Sequence, residues 1–187
     1  TVEGEVTVHK NSRDFDVTKT ADRTLADSED LVKYTLTVRN NGSYSSVLTE
    51  KEPLLFWDVP DGVTIEEEKQ SDEFIQSKPE GVTITREFEK DDQGKVTKVV
   101  FKASGKFNAG ETASVNVWAT MPKVTSGVVT VTNTAGTGEN PPSSKTETVV
   151  EPKQGDSEET KVVYGADGNV YFNKSKFFKE SQTTAKQ

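Results

Sequence analysis

Apolar residues at every second position, in short runs separated by turn signals, leave this chain little choice of fold. Tyr34, Leu36 and Val38 alternate with Thr35 and Thr37 until Asn40-Asn41-Gly42-Ser43 breaks the run. A period of two is that of a strand with one buried face. Val115, Val117, Ala119 and Met121 alternate in the same way with Ser114, Asn116 and Thr120, and Pro122 closes that strand. Val129, Val131 and Ala135 share a face within residues 127–136, and a further strand over residues 96–103 follows the turn Asp91-Asp92-Gln93-Gly94. Asn108-Ala109-Gly110-Glu111 is another turn. Only residues 66–75 have helical composition, and they lack a sustained apolar stripe. The 24 Val and 24 Thr among 187 residues bias the chain the same way. The expected class is all-β, an antiparallel sandwich.

Residues 12–151 form one continuous series of this kind. Before them, residues 5–10 read as a short strand or linker that belongs either to this domain or to a preceding one. After them comes a polar, turn-rich linker, Pro152-Lys153-Gln154-Gly155-Asp156-Ser157-Glu158-Glu159. Within the extension 152–187, residues 161–164 and 169–172 flank Gly165-Ala166-Asp167-Gly168 as a hairpin, and residues 180–187 read as a frayed tail. No internal repeat is evident.

Several function classes fall away on composition. The net charge is −8 and no basic stripe with interleaved aromatics is present, which argues against nucleic acid as partner. With no Cys there are no disulfides, thiolate metal sites or cysteine nucleophiles. A Ser-His mechanism or a multi-His zinc site would have to run through His9, the one histidine. Ordinary turnover chemistry and a cofactor are therefore not expected. No apolar run approaches the roughly 18 residues that span a bilayer, and no basic-then-apolar leader opens the numbering. The expectation is a soluble chain without membrane insertion, a mature or excised piece if it is exported. Glu66-Glu67-Glu68 and Asp91-Asp92 read as solvated loop charges, and Trp57 and Trp118 as core or inter-sheet packing.

Three polar residues fall on faces that the alternation would bury. Lys19 shares a face with Phe15 and Val17, Asp58 with Leu54 and Phe56, and Asn133 with Val129, Val131 and Ala135. A lone buried charge costs several kcal/mol or more, so each of these groups needs a partner, and each could serve another. They could also react. Desolvation frees the Lys amine of its proton and keeps an Asp carboxyl protonated. Such an acid could polarise the Asn133 carbonyl and relay protons from the Lys19 amine to departing ammonia. The product would be an Nζ–Cγ amide between the first strand and the last, formed once per molecule, with packing in the core supplying effective molarity. Lys10, on a face with Val6 and Val8, is an alternative nucleophile.

Four motifs in order carry a family resemblance over residues 15–150. Val17-Thr18-Lys19-Thr20-Ala21-Asp22 with Tyr34-Thr35-Leu36-Thr37-Val38-Arg39-Asn40-Asn41-Gly42 resembles the opening of repeat domains in Gram-positive surface proteins and pilins. Asp58-Val59-Pro60-Asp61-Gly62-Val63, Asn108-Ala109-Gly110-Glu111-Thr112 and Val131-Thr132-Asn133-Thr134-Ala135 are similar to their middle segment, late turn and closing strand. The resemblance is to the isopeptide-forming fimbrial and collagen-adhesin type domains. It implies an immunoglobulin-like sandwich on a bacterial cell surface or in a cell wall, with Lys19 as nucleophile, Asn133 as acceptor and Asp58 as catalytic acid. It further implies neighbouring domains of the same surface protein as partners. The chain departs from the family in lacking Tyr-Pro-Lys and Leu-Pro-x-Thr-Gly motifs, and in carrying Glu29-Asp30-Leu31-Val32-Lys33-Tyr34 before the second strand. The other readings are a plain stalk or spacer without the bond, and an adhesin domain recognising a host protein or glycan through loops around Ile75 or Phe107.

Overall fold

Strand alternation is realised most fully in β3 (Leu31–Asn40), where every second side chain from Val32 to Asn40 is buried and every intervening one is at least partly exposed. The computed structural model describes residues 13–138, 143–153, 163–164 and 170–171. Around β3 lie β1 (Phe15–Ala21), β2 (Leu25–Asp27), β4 (Ser46–Leu48), β5 (Leu54–Val59) and β6 (Ile75–Ser77). They are followed by β7 (Thr83–Lys90), β8 (Val96–Phe107), β9 (Thr112–Thr120), β10 (Val129–Thr137) and β11 (Ser143–Glu151). One sheet has the order β1-β3-β9-β6, the other β2-β11-β10-β5-β8-β4 with β7 also on β8. Every pairing is antiparallel except that of β2 with β11. The result is an all-β immunoglobulin-like sandwich.

The core lies between the two sheets. Tyr34, Leu36, Val38, Val115, Val117 and Ala119 from one sheet meet Phe56, Phe101 and Ala103 from the other. Phe56 stacks on Phe101 at 5.2 Å between ring centroids, and Phe15 meets Phe107 edge-to-face at the same separation. Turn chemistry follows the sequence: Asp91 Oδ1 accepts the Gln93 and Lys95 N–H groups at 2.9 Å, and Glu111 Oε1 accepts that of Asn108 at 2.7 Å.

Several expectations need correction. Val129 is the first residue of β10 and is 43% exposed, although Val131, Asn133 and Ala135 on the same face are buried. Residues 66–74 form no α-helix, in line with the missing apolar stripe, and hold a single 3-10 turn, Glu67–Lys69. Trp57 and Trp118 are half-buried on outward faces; Trp57 lies over Gly136 and under the Lys98 ammonium, 5.0 Å from the ring. β10 is not the last strand of the sandwich, since β11 follows it and pairs along its other edge. In the extension, β12 (Val163–Tyr164) pairs antiparallel with β13 (Val170–Tyr171). Residues 1–11, with His9 and Lys10, and the tail 180–187 lie outside the described residues. Among the described residues no helix is long and apolar enough to cross a membrane.

Candidate functional site

Lys19, Asp58 and Asn133 come from three strands on two sheets. In β1, Lys19 pairs with Leu36 and so turns the same way as Phe15 and Val17, into the space between the sheets. In β5, Asp58 pairs with Ala135 of β10, two residues beyond Asn133. Asp58 and Asn133 are therefore diagonal neighbours on one face, within side-chain reach. The three are 4%, 0% and 0% exposed. The Lys19 ammonium forms an ion pair with Asp58 Oδ1, and neither side chain has any surface in water. Its nitrogen also lies 4.4 Å from the centroid of the Tyr34 ring, a cation–π contact.

The electrostatics follow from the dryness of the site. Burial lowers the Lys19 pKa from 10.5 to about 8, with the Asp58 charge and hydrogen bond holding it partly up. Burial pushes the Asp58 carboxyl up, an effect that Lys19 and, more weakly, Asn133 offset. Both shifts favour the neutral forms, amine and carboxylic acid, over ammonium and carboxylate. Tyr34 is raised by burial as well, and Thr148 and Asn133 partly offset that rise.

This part of the core contains an unusual set of orphan groups. Asp58 Oδ2, Asn133 Nδ2, Tyr34 OH, Thr146 Oγ1 and Thr148 Oγ1 are all buried without a hydrogen-bond partner. In a native interior such groups are few and call for a functional reason. Thr146 is the direct cross-strand partner of Asn133, and Thr148 that of Val131, so both hydroxyls belong to the Asn133 face. The other carboxamide atom is satisfied: Asn133 Oδ1 accepts the main-chain N–H of Thr134 at 2.9 Å. The edge of β1 is tied to β11 by a hydrogen bond from the Lys19 N–H to Ser144 Oγ at 3.1 Å.

All three residues expected on buried faces are thus buried, and Lys19 is paired with Asp58. Tyr34 was legible only as a core residue, and Thr146 and Thr148 were not singled out. Ser144, Thr146, Thr148 and Val150 alternate, so the rule that singled out Lys19 also puts polar groups on the inner face of β11. Of the two residues around which ligand-recognition loops were expected, Phe107 is fully buried and Ile75 half-buried.

No family model matches the chain, and no curated protein does either. Solved structures with a similar arrangement include the major pilin subunit BcpA of Bacillus cereus, 16% identical, covering 84% of this chain and 45% of that one, with a TM-score of 0.41. The collagen-binding domain of a Staphylococcus aureus adhesin is 10% identical over 75% of this chain and 99% of that one, at a TM-score of 0.36. A type II cohesin domain from the Acetivibrio cellulolyticus cellulosome is 8% identical over 74% and 95%, at 0.40. The chemistry open to the site rests on its own residues.

Proposed function

We propose that this chain is a structural module of a bacterial cell-surface adhesin or pilus-like protein, locked by an amide bond that it forms between Lys19 and Asn133. The observation that carries this reading is the water-free Lys19–Asp58 pair, with Asn133 buried diagonally across from Asp58 on the neighbouring strand. A lysine is an expensive way to fill a core position: replacing a buried ion pair by apolar residues is often neutral or stabilising. A covalent product removes that liability.

The step balances within the chain. Proton transfer in the pair leaves a neutral Lys19 amine and a protonated Asp58. The Nζ lone pair attacks Asn133 Cγ, and the carbonyl electrons move to Oδ1. Asp58 gives its proton to Nδ2 and takes one from Nζ; the Cγ–Nδ2 bond then breaks and ammonia leaves. Asp58 ends as it began. A carboxamide is a poor electrophile, and the enforced contact supplies the effective molarity that makes it react. The module turns over no external substrate, and its partners are neighbouring domains of the same surface protein.

Intact-mass measurement tests the proposal. The purified chain is expected one ammonia lighter than its sequence, and Lys19→Met and Asn133→Ala are expected at full mass. Asp58→Ala is expected to fold and remain unlinked. A native chain at full mass would leave the plain spacer reading in its place.

A further inference from the structure

The orientation of the Asn133 carboxamide divides the catalytic work differently from the sequence expectation, in which Asp58 both polarised the carbonyl and moved the protons. A main-chain N–H meets one terminal atom of that side chain at 2.9 Å, and a donor requires an acceptor there, so this atom is the oxygen. The nitrogen is then the atom turned towards the orphan groups, and Nδ2 is itself buried and unpartnered. Asp58 Oδ2, Tyr34 OH and Thr148 Oγ1, the unpartnered oxygens of side chains around it, can accept from Nδ2 or donate to it as it leaves. We infer that the main-chain N–H of Thr134 is the oxyanion donor of the cross-linking reaction, and that Asp58 acts on the two nitrogens alone.

This inference rests on the proposed Lys19–Asn133 bond and adds the group that stabilises its transition state. As Nζ attacks Cγ, the negative charge develops on Oδ1, where the Thr134 N–H already points. A fixed backbone dipole in a dry site needs no reorganisation at that moment. Thr134 is held in place from both edges of β10, opposite Val59 of β5 and Lys145 of β11, so the donor cannot drift. Freed of the carbonyl, Asp58 needs only to span Nζ and Nδ2. Its two oxygens divide in that way: Oδ1 is on Lys19, while Oδ2 has no partner.

The test replaces the amide nitrogen of Thr134 by oxygen, using the α-hydroxy analogue of threonine, in the full chain. The same exchange at Gly136, which like Thr134 pairs with β5, is the control for loss of a strand hydrogen bond. Bond formation, followed as loss of ammonia by mass, is expected to slow at least about 100-fold for the Thr134 ester relative to the Gly136 ester. Equal rates overturn the assignment of the donor while leaving the bond itself intact, whereas a native chain at full mass overturns both. A second measurement does not depend on the ester folding. In Asp58→Ala, with a 13C label at the Asn133 carboxamide, the carbonyl stretch is expected to stay at a hydrogen-bonded frequency. A free-carbonyl frequency there would show that Asp58, and not Thr134, polarises the bond.

Discussion

A lysine shut away from water leaves a signature in how stability depends on pH, and the unlinked protein should display it. In Asn133→Ala, Lys19 keeps its Asp58 partner but has no carboxamide to attack. Its folded pKa of about 8 lies below the unfolded value of 10.5, so between those values the unfolded chain holds a proton that the folded chain has released. Stability therefore rises with pH across that window. Asp58 acts oppositely: its folded pKa is raised above 3.8, so its contribution is present in acid and is lost as pH rises through the folded value. Denaturant titrations of Asn133→Ala should show stability falling as pH rises through the Asp58 transition and rising again between about pH 8 and 10.5. With the proposed amide formed, the Lys19 nitrogen no longer titrates, so the alkaline rise should be missing from the native chain; its presence there would count against the bond. Tyr34 makes a second residue-level case. Its hydroxyl is buried without a partner, while its ring faces the Lys19 nitrogen at 4.4 Å. Tyr34→Phe keeps the ring and removes the orphan group. We expect a stability equal to the native chain or up to about 1–2 kcal/mol higher, where an ordinary buried Tyr would lose stability. A loss of more than about 1 kcal/mol in thermal unfolding would show that the hydroxyl has a partner worth keeping.

Strands here are shaped by where their backbones touch as much as by which face they bury. Gly105 in β8 has φ +116°, and a Cβ built on it would lie 2.3 Å from the Gly81 carbonyl oxygen and 2.9 Å from Val82 Cα. Both obstacles are backbone and cannot rotate aside, and the positive φ is itself unfavourable for an L side chain. Gly105→Ala should cost at least about 2–3 kcal/mol by chemical denaturation, whereas Gly94→Ala, with positive φ but open space, should cost about 1 kcal/mol. Equal costs would mean that the β8 bend can yield. This constraint was invisible in the sequence, since contact between Gly105 and residues 81–82 depends on how β8 packs against the start of β7. The inner faces of β1, β3, β5 and β9 were legible for the opposite reason, because a period of two is a local property of each strand. Lys19 and Asp58 could be placed on buried faces from Phe15-x-Val17 and Leu54-x-Phe56 alone. Val129 shows where that logic stops: it obeys the alternation of β10 yet, as the first residue of the strand, it is 43% exposed. The Thr134 N–H could not be read at all, because a main-chain donor leaves no trace in residue identity.

At the scale of the molecule, the placement of the cross-link decides how the sandwich would bear load. β1 starts beside Asn40 at one end, and β11 finishes at the other, where the Glu151 carbonyl accepts the Ser28 N–H at 2.7 Å. A pull on the two chain ends therefore runs lengthwise along β1 and β11, which are neighbours joined by the Lys19 N–H to Ser144 Oγ bond and not by a backbone ladder. Without the amide, that contact would shear and the whole sandwich would unravel. With it, force entering along β1 crosses at Lys19 to Asn133 and leaves through β10 and β11. The 113 residues between the two linked positions are then removed from the load path, roughly 400 Å of extended chain. Because β11 lies beyond the link, some extension remains: the hydrogen bonds of the β10–β11 pair must still shear before Glu151 moves freely. The same closed loop should raise thermodynamic stability by about 4–5 kcal/mol, on the entropy scale of a cross-link closing some hundred residues. Single-molecule pulling through the chain ends should give native unfolding steps shorter than those of Lys19→Met by about 400 Å, with a residual short step from residues 134–151. Equal step lengths in the two proteins would mean that the force passes through residues 20–132, and that no covalent path joins β1 to β10.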